Sequence, residues 1–146
     1  MAAAYPELFA AATVYSGVPA GCFMSQSNAV AGWNSTCAHG DSKATPQQWA
    51  AVVQAMDPGA NNSQRPRMQI YHGSADTTLY PNNYQETIKQ WSGVFGYGAA
   101  TSTKQNSPQS GYTTSTYGDH LVGIYAQGVG HTVPVRGDDE MKFYGL

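Results

Sequence analysis

The chain has 146 residues, two cysteines and a net charge of −2, which is enough for one domain of ordinary size. Hydrophobic residues reach 41% and charged residues only 11%, a globular rather than a disordered composition. Seven lysines and arginines stand against nine acidic residues without a basic run, which argues against nucleic acid as a partner. The longest apolar stretches fall far short of the roughly 18 residues of a transmembrane helix, so we expect a soluble chain with no membrane partner.

Two cysteines and two glycosylation triplets favour an oxidising compartment. Cys22 and Cys37 flank a polar, loop-like stretch, and an even pair in this setting favours a disulfide over two free buried thiols. Closing a loop of about 15 residues would stabilise the fold by roughly 3 kcal/mol. Asn34 and Asn61 each begin an Asn-x-Ser/Thr acceptor triplet. We therefore expect a secreted, extracellular protein, although the first residues carry no export signal.

The first half of the chain predicts a strand and a helix after a short helical end. Residues 1–5 are alanine-rich and precede Pro6, which is typical of the last turn of a helix. Residues 9–15 form an apolar run without alternation, as in a parallel strand covered on both faces. Thr45 and Gln48 are placed as N-cap and capping-box partner of a helix. We assign its apolar stripe to the core: Trp49, Val52, Val53 and Met56.

The second half continues the alternation of strand and helix. Residues 66–73 predict a strand, and Pro81 opens a helix that should end near Gly96. Residues 96–111 are expected to form a surface loop, and residues 112–126 a hairpin or strand pair. The acidic tail from Asp138 suits a short last helix. This order predicts an α/β fold with a mostly parallel sheet and helices on both faces.

Two loops place acid-base residues directly after predicted strands. Asp76 ends the run His-Gly-Ser-Ala-Asp, and His131 ends the run Gly-Val-Gly-His. Sites in open α/β sheets gather at the carboxyl ends of strands, and an acid followed by a histidine is the second half of the order Ser, Asp, His found in α/β-hydrolases. The alternative is that Asp76 forms an Asx turn and His131 is a hydrogen-bonded loop residue.

The nucleophile of such a site is missing from the sequence. The pentapeptide Gly-x-Ser-x-Gly, which forms the nucleophile elbow, does not occur in the 146 residues. Ser16, Ser74 and Ser92 lack the glycine frame, and we interpret them as turn or solvated hydroxyls. Either the catalytic interpretation is wrong or the serine lies upstream.

Several long strings resemble one family of esterases. They lie in the same order along nearly the whole chain: YPELFA from residue 5, YSGVPAGC from residue 15, WNSTC from residue 33, residues 68–80, residues 84–96 and residues 128–137. The chain resembles the C-terminal part of fungal acetylxylan esterases of carbohydrate esterase family 1, relatives of feruloyl and polyhydroxybutyrate-depolymerase-type esterases. The resemblance implies that residues 1–146 are the C-terminal portion of a single α/β-hydrolase catalytic domain whose early strands are missing.

The resemblance also implies roles for individual residues. Asp76 and His131 would be the acid and base of a triad, Cys22 and Cys37 the family's disulfide, and the nucleophilic serine would precede residue 1. Trp33 would be a wall of the acyl or sugar pocket, with a packed aromatic beside the disulfide as an equal alternative.

The implied substrate is acetylated xylan, hydrolysed without a metal or organic cofactor by an enzyme that is monomeric at full length. The chain alone should then be inactive. A feruloyl esterase is the nearest enzymatic alternative, and a non-catalytic carbohydrate-binding remnant is the alternative from another class.

Overall fold

A computed structural model of the protein describes residues 1–24 and 32–146, which form one mixed sheet and four α-helices. The strands are β1 (Ala11–Tyr15), β2 (Arg67–Gly73), β3 (Ser102–Gln105), β4 (Tyr112–Gly118) and β5 (Leu121–Ala126). The helices are α1 (Ser35–Ala38), α2 (Pro46–Met56), α3 (Asn82–Phe95) and α4 (Gly137–Tyr144), with 3₁₀ turns at Pro6–Leu8 and Asn62–Gln64. No helix in these ranges is both long and apolar enough to span a membrane.

The sheet has the order β1-β2-β5-β4-β3 and changes direction at β5. β1, β2 and β5 are parallel neighbours, whereas β4 pairs antiparallel with both β5 and β3. The carboxyl ends of β2 and β5 therefore meet at one edge of the sheet, directly before the loops that carry Asp76 and His131. The α/β class predicted from the sequence is confirmed.

The larger core lies between the sheet and the pair α2 and α3. Six of the seven residues of β2 are buried, because this central strand is covered on both faces. Its Met68 and Ile70 pack against Tyr84, Ile88 and Trp91 of α3. α3 approaches the start of α2 so closely that a Cβ on Gly93 would overlap the Pro46 carbonyl oxygen. Packing on this side therefore fixes β2 and, with it, the start of the loop that carries Asp76.

The opposite face of the sheet has a thinner cover. Tyr71 of β2 and Ile124 of β5 form a second cluster there, extended by Tyr15, whose ring stacks on Tyr71 at 4.6 Å. α4 lies on this face but buries none of its residues. It is held to β1 because the Tyr15 hydroxyl donates to Glu140 at 2.6 Å.

Most of the predicted elements are present, and their end signals act as expected. Thr45 and Gln48 form the capping box of α2 in both directions, and Gly96 ends α3 in the left-handed region at φ 71°. The loop predicted for residues 96–111 is wrong in its middle, because Ser102–Gln105 pairs with β4 as an edge strand. All four of its residues are exposed, so the strand has no buried face to leave an apolar alternation in the sequence.

The start of the chain and the stretch between the two cysteines also bear on the sequence predictions. Residues 2–4 form a turn in which the Tyr5 N–H donates to the Met1 carbonyl, the bond of a helical turn, and Pro6 then begins a 3₁₀ turn. Cys37 lies in the short helix α1 rather than in a loop. Much of the polar stretch between the cysteines, residues 25–31, lies outside the described residues.

Candidate active site

Asp76 lies in the acid loop, residues 73–79, at the carboxyl end of β2. Its side chain is fully buried. One carboxylate oxygen, Oδ1, accepts the backbone N–H groups of Thr78 at 2.9 Å and Leu79 at 3.0 Å. The other, Oδ2, lies 2.9 Å from Nδ1 of His131. The Asx turn and the pairing with histidine, which the sequence offered as alternatives, are thus both present, one on each oxygen.

His131 lies in the histidine loop, residues 127–133, which follows β5. Because a carboxylate oxygen only accepts, Nδ1 carries the proton that His131 shares with Asp76. In the neutral ring, Nε2 then holds the lone pair. The His131 side chain is 43% exposed while that of Asp76 is 0% exposed, so the pair joins a buried acid to an accessible imidazole. A base held in one tautomer by a buried acid is the arrangement that takes a proton from a nucleophile.

Hydrogen bonds join the acid loop to the end of β5 and to the histidine loop. The Ser74 N–H donates to the Ala126 carbonyl and the Ala75 N–H to the Val129 carbonyl, both at 2.9 Å. The Ser74 hydroxyl accepts the Gly128 N–H at 2.8 Å. The two loops are therefore held together by their backbones, and this sets the separation of acid and base.

Gly73 is needed where the two loops meet. A Cβ at this position would overlap the carbonyl oxygens of both Val129 and Gly130, which are backbone atoms of the histidine loop. Only glycine permits this approach. The Gly after His72 in the sequence is therefore part of the geometry of the site.

His72 belongs to the same cluster, although the sequence assigned it no role. It is fully buried in β2, and its Nε2 lies 2.9 Å from the Leu79 carbonyl oxygen and 3.4 Å from Oδ2 of Asp76. Burial lowers the pKa of His72 below its ordinary range, against the opposing effects of the Leu79 carbonyl and the Asp76 carboxylate. Its position four residues before the acid was the available signal, but the contact depends on how the loop turns back.

The serines of the chain do not complete this pair. No hydrogen bond within residues 1–24 and 32–146 joins His131 to a serine. Ser16 follows β1 with φ 48°, and its hydroxyl is buried without a partner among the described residues. Ser92 is likewise buried in α3, and Ser74 is bonded to Gly128. The interpretation as turn or solvated hydroxyls is wrong for Ser92, which is buried within α3, whereas Ser16 lies in a bend but has a buried hydroxyl.

The disulfide joins Cys22 to Cys37, as the sequence predicts. Asn34 caps α1 beside it: its side chain accepts the Cys37 N–H at 3.0 Å and donates to the Cys22 carbonyl at 3.3 Å. Trp33 is 63% exposed and meets Phe23 edge-on at 5.4 Å, so it is not a buried aromatic beside the disulfide.

The disulfide region is connected to the acid loop. The Ala38 carbonyl, at the end of α1, accepts the N–H of Tyr80 at 2.7 Å, and Tyr80 directly follows the last residue of that loop. The ring of Tyr80 is 41% exposed and packs against His39 at 4.8 Å. Asn61, the first residue of the second sequon, is exposed.

Comparison with known proteins identifies relatives of the whole chain. No protein-family model matches it. Probable acetylxylan esterase A of Aspergillus niger is 63% identical over 148 aligned residues, which cover 100% of this chain and 48% of that protein. Probable acetylxylan esterase A of Aspergillus terreus is 64% identical and is covered to 47%. The chain is a homologue of the acetylxylan esterases.

A solved structure agrees with this assignment. The acetyl xylan esterase from Aspergillus awamori superposes with a TM-score of 0.96 and 62% identity, over 99% of this chain and 53% of that one. The sheet and its helices are therefore part of an α/β-hydrolase-like fold, as the sequence predicted. The chain spans about half the length of the acetylxylan esterases that it matches.

Proposed function

We propose that this chain is the C-terminal portion of the single catalytic domain of a secreted serine esterase that removes O-acetyl groups from xylan. The observation that carries the proposal is the bond of 2.9 Å between His131 Nδ1 and the buried carboxylate of Asp76, at the ends of two parallel strands. It occurs in a chain that is 62% identical to an acetyl xylan esterase of known structure.

In this proposal His131 acts as the base and Asp76 as the group that orients it. Nε2 of His131 takes the proton of a serine hydroxyl while the serine oxygen attacks the acetyl carbonyl carbon. The imidazolium that forms is stabilised by Asp76 and returns the proton to the sugar oxygen as the ester bond breaks. A water molecule then cleaves the acetyl-serine by the same two proton transfers, and acetate leaves.

The serine itself lies outside these 146 residues in our proposal. The sequence has no Gly-x-Ser-x-Gly pentapeptide, and one donor of an oxyanion hole of this kind is the N–H that follows the nucleophile. The chain as given therefore supplies two of three triad side chains, and we expect it to be inactive alone.

A chimera tests the proposal. The portion of the Aspergillus awamori enzyme that this chain matches would be replaced by the 146 residues, and acetate release from acetylated xylan would be measured. We expect activity that serine-directed inhibitors abolish. Asp76→Asn should lower kcat by about 10⁴-fold, the loss typical of a triad acid. His131→Ala should lower it at least as far.

An exposed acid supplies the matched control. Asp119 lies in the turn between β4 and β5, away from both loops, so Asp119→Asn should leave kcat unchanged. Full activity in Asp76→Asn, or turnover of 4-nitrophenyl acetate by the 146 residues alone that resists serine-directed inhibitors, would overturn the proposal. Preference of the chimera for hydroxycinnamoyl over acetyl esters would overturn the assignment of the acyl group while keeping the mechanism.

A further inference from the structure

His72 is a second histidine beside Asp76, and the proposed reaction does not use it. It has no exposed surface, so it cannot meet a polysaccharide substrate directly. Its Nε2 contacts the Leu79 carbonyl oxygen at 2.9 Å and Oδ2 of Asp76 at 3.4 Å. Its Nδ1 is buried without a partner among the described residues.

These contacts define the protonation of the ring. A carbonyl oxygen can only accept, so Nε2 must carry a proton and donate it to Leu79. A charged imidazole would also carry a proton on Nδ1, where no described acceptor lies, and burying an unpaired N–H is costly. His72 is therefore neutral, with hydrogen on Nε2 only. It adds no positive charge that would compete with His131 for the Asp76 carboxylate.

We propose that His72 is a positioning residue that closes the acid loop and thereby sets the orientation of the Asp76 carboxylate. The bond to the Leu79 carbonyl ties the last residue of the loop back to β2. The N–H of the same residue, Leu79, donates to Oδ1 of Asp76 at 3.0 Å. Leu79 thus accepts a hydrogen bond from His72 through its carbonyl oxygen and donates one to Asp76 through its N–H.

The Nε2–H also lies near Oδ2, the oxygen that faces His131. The backbone N–H groups hold Oδ1 and His131 holds Oδ2, while His72 lies beside Oδ2 and fixes the loop residue that bonds Oδ1. The inference rests on the proposed role of Asp76 as the triad acid, but the position of the carboxylate can be measured without any esterase activity.

The test compares two amides in the full 146-residue chain. In His72→Gln the amide nitrogen occupies the place of Nε2, whereas in His72→Asn it ends at the place of Nδ1 and cannot reach Leu79. The readout is the NMR signal of the Nδ1 proton of His131, identified by its loss in His131→Gln. We expect the signal in the wild-type chain and in His72→Gln, and its loss or broadening in His72→Asn.

An equal signal in His72→Asn and His72→Gln would overturn the proposal, and so would its loss in both. A measurement on the wild-type chain covers the case in which a variant does not fold. In chains labelled with ¹⁵N-histidine at pH 7, His72 should show a protonated Nε2 and an unprotonated Nδ1. The opposite tautomer, or a charged ring, would exclude the bond to Leu79 and with it the inference.

In the chimera, His72→Asn should lower kcat for 4-nitrophenyl acetate while leaving KM unchanged, and His72→Gln should restore it. A chimera that is inactive in every form would contradict the proposed function, while the NMR result would still decide the role of His72.

Discussion

The carboxylate of Asp76 owes its position mainly to backbone groups. Two N–H groups of its own loop hold Oδ1, and the loop is bonded to the end of β5 through the Ala126 carbonyl and to the histidine loop through the Val129 carbonyl. Backbone donors lose no side-chain entropy on ordering, so they hold an acid more firmly than mobile side chains do. Substitutions that move the backbone should therefore harm the site as much as loss of a side chain.

Gly73 offers the most direct test of that idea. In Gly73→Ala the new methyl group would overlap two carbonyl oxygens of the histidine loop, and neither loop can move without losing its bonds to the other. We expect a loss of about 1–3 kcal/mol in the free energy of unfolding, the usual cost of overpacking. Urea denaturation measures it, and the Nδ1 proton signal of His131 should disappear.

The control is another glycine of the same chain. Gly98 is exposed, and a Cβ there would meet nothing within 4 Å. Gly98→Ala should change stability by less than about 0.5 kcal/mol. Equal stability and equal NMR spectra for the two variants would show that the loops do not depend on the approach at Gly73.

The two sequons should differ in their use by the glycosylation machinery. The Asn34 side chain is half-buried and caps α1, whereas Asn61 is exposed directly before the 3₁₀ turn Asn62–Gln64. On secretion from a yeast host, we expect a glycan on Asn61 and none on Asn34. Mass spectrometry before and after glycosidase treatment would measure this, with Asn61→Gln removing the shift. A shift that persists in Asn61→Gln and vanishes in Asn34→Gln would contradict it.

At the scale of elements, Glu86 joins α3 to the start of α2. Its buried carboxylate accepts the Trp49 indole N–H at 2.9 Å and the Ala44 N–H at 3.2 Å, and it pairs with Lys89 at 2.7 Å. Burial acts to raise the pKa of Glu86, but Lys89, Trp49 and Ala44 outweigh it and leave the pKa below its ordinary value of 4.5. The group is thus charged in the folded protein throughout the neutral range.

This shift predicts a loss of stability in acid. Because the pKa of Glu86 is lower in the folded than in the unfolded chain, its stabilisation is complete above pH 4.5 and declines as the pH falls through the folded value. Glu86→Gln should lower the free energy of unfolding at pH 7 by about 1–3 kcal/mol, because it disrupts the hydrogen bonds that the buried carboxylate accepts. It should also flatten the acid limb of the stability curve, measured by urea denaturation from pH 3 to pH 7.

A partly exposed ion pair serves as the comparison. Arg136 and Asp139 pair at 2.8 Å at the start of α4, where both side chains keep contact with solvent that screens their charges. Asp139→Asn should therefore change stability by less than about 1 kcal/mol and keep the acid limb. An unchanged acid limb in Glu86→Gln would show that Glu86 does not carry this dependence.

The elements that the sequence revealed are those with a local signal. The capping box of α2 and the glycine after α3 are written in adjacent residues, so their positions could be predicted. β3 has only Ser, Thr, Lys and Gln, and its pairing with β4 is decided by a partner rather than by its own pattern. The strand therefore forms through its contacts with β4, and no hydrophobic periodicity in its own sequence predicts it.

The same distinction applies to the site. Asp76 and His131 could be predicted as candidates because each follows a strand, and parallel strands bring their carboxyl ends together. His72 could not be given a role, because its bond runs to the carbonyl of Leu79, seven residues later, after the loop has turned. The sequence shows which side chains are available for the site, whereas the conformation of the acid loop determines which of them come into contact.

At the scale of the whole molecule, the two edge strands of the sheet differ in their protection against pairing with another chain. β3 ends one side with four exposed polar or charged residues, including Lys104, which discourages pairing with another chain. Among the described residues, β1 pairs only with β2 and ends the other side. β1 carries no charge and has Ala, Val and Tyr among its residues, so it lacks that protection.

The free side of β1 should make the 146-residue chain self-associate. Ala10 accepts a bond from Arg67 of β2 and Ser16 donates to Tyr71, so by alternation the N–H of Ala11 points away from β2. Ala11→Pro would remove that outward donor without breaking the ladder to β2, and proline is tolerated at the first residue of an edge strand. Light scattering coupled to size exclusion should show association that grows with concentration in the wild-type chain and is reduced in Ala11→Pro, at an equal melting temperature. A wild-type chain that stays monomeric at all concentrations would contradict this prediction.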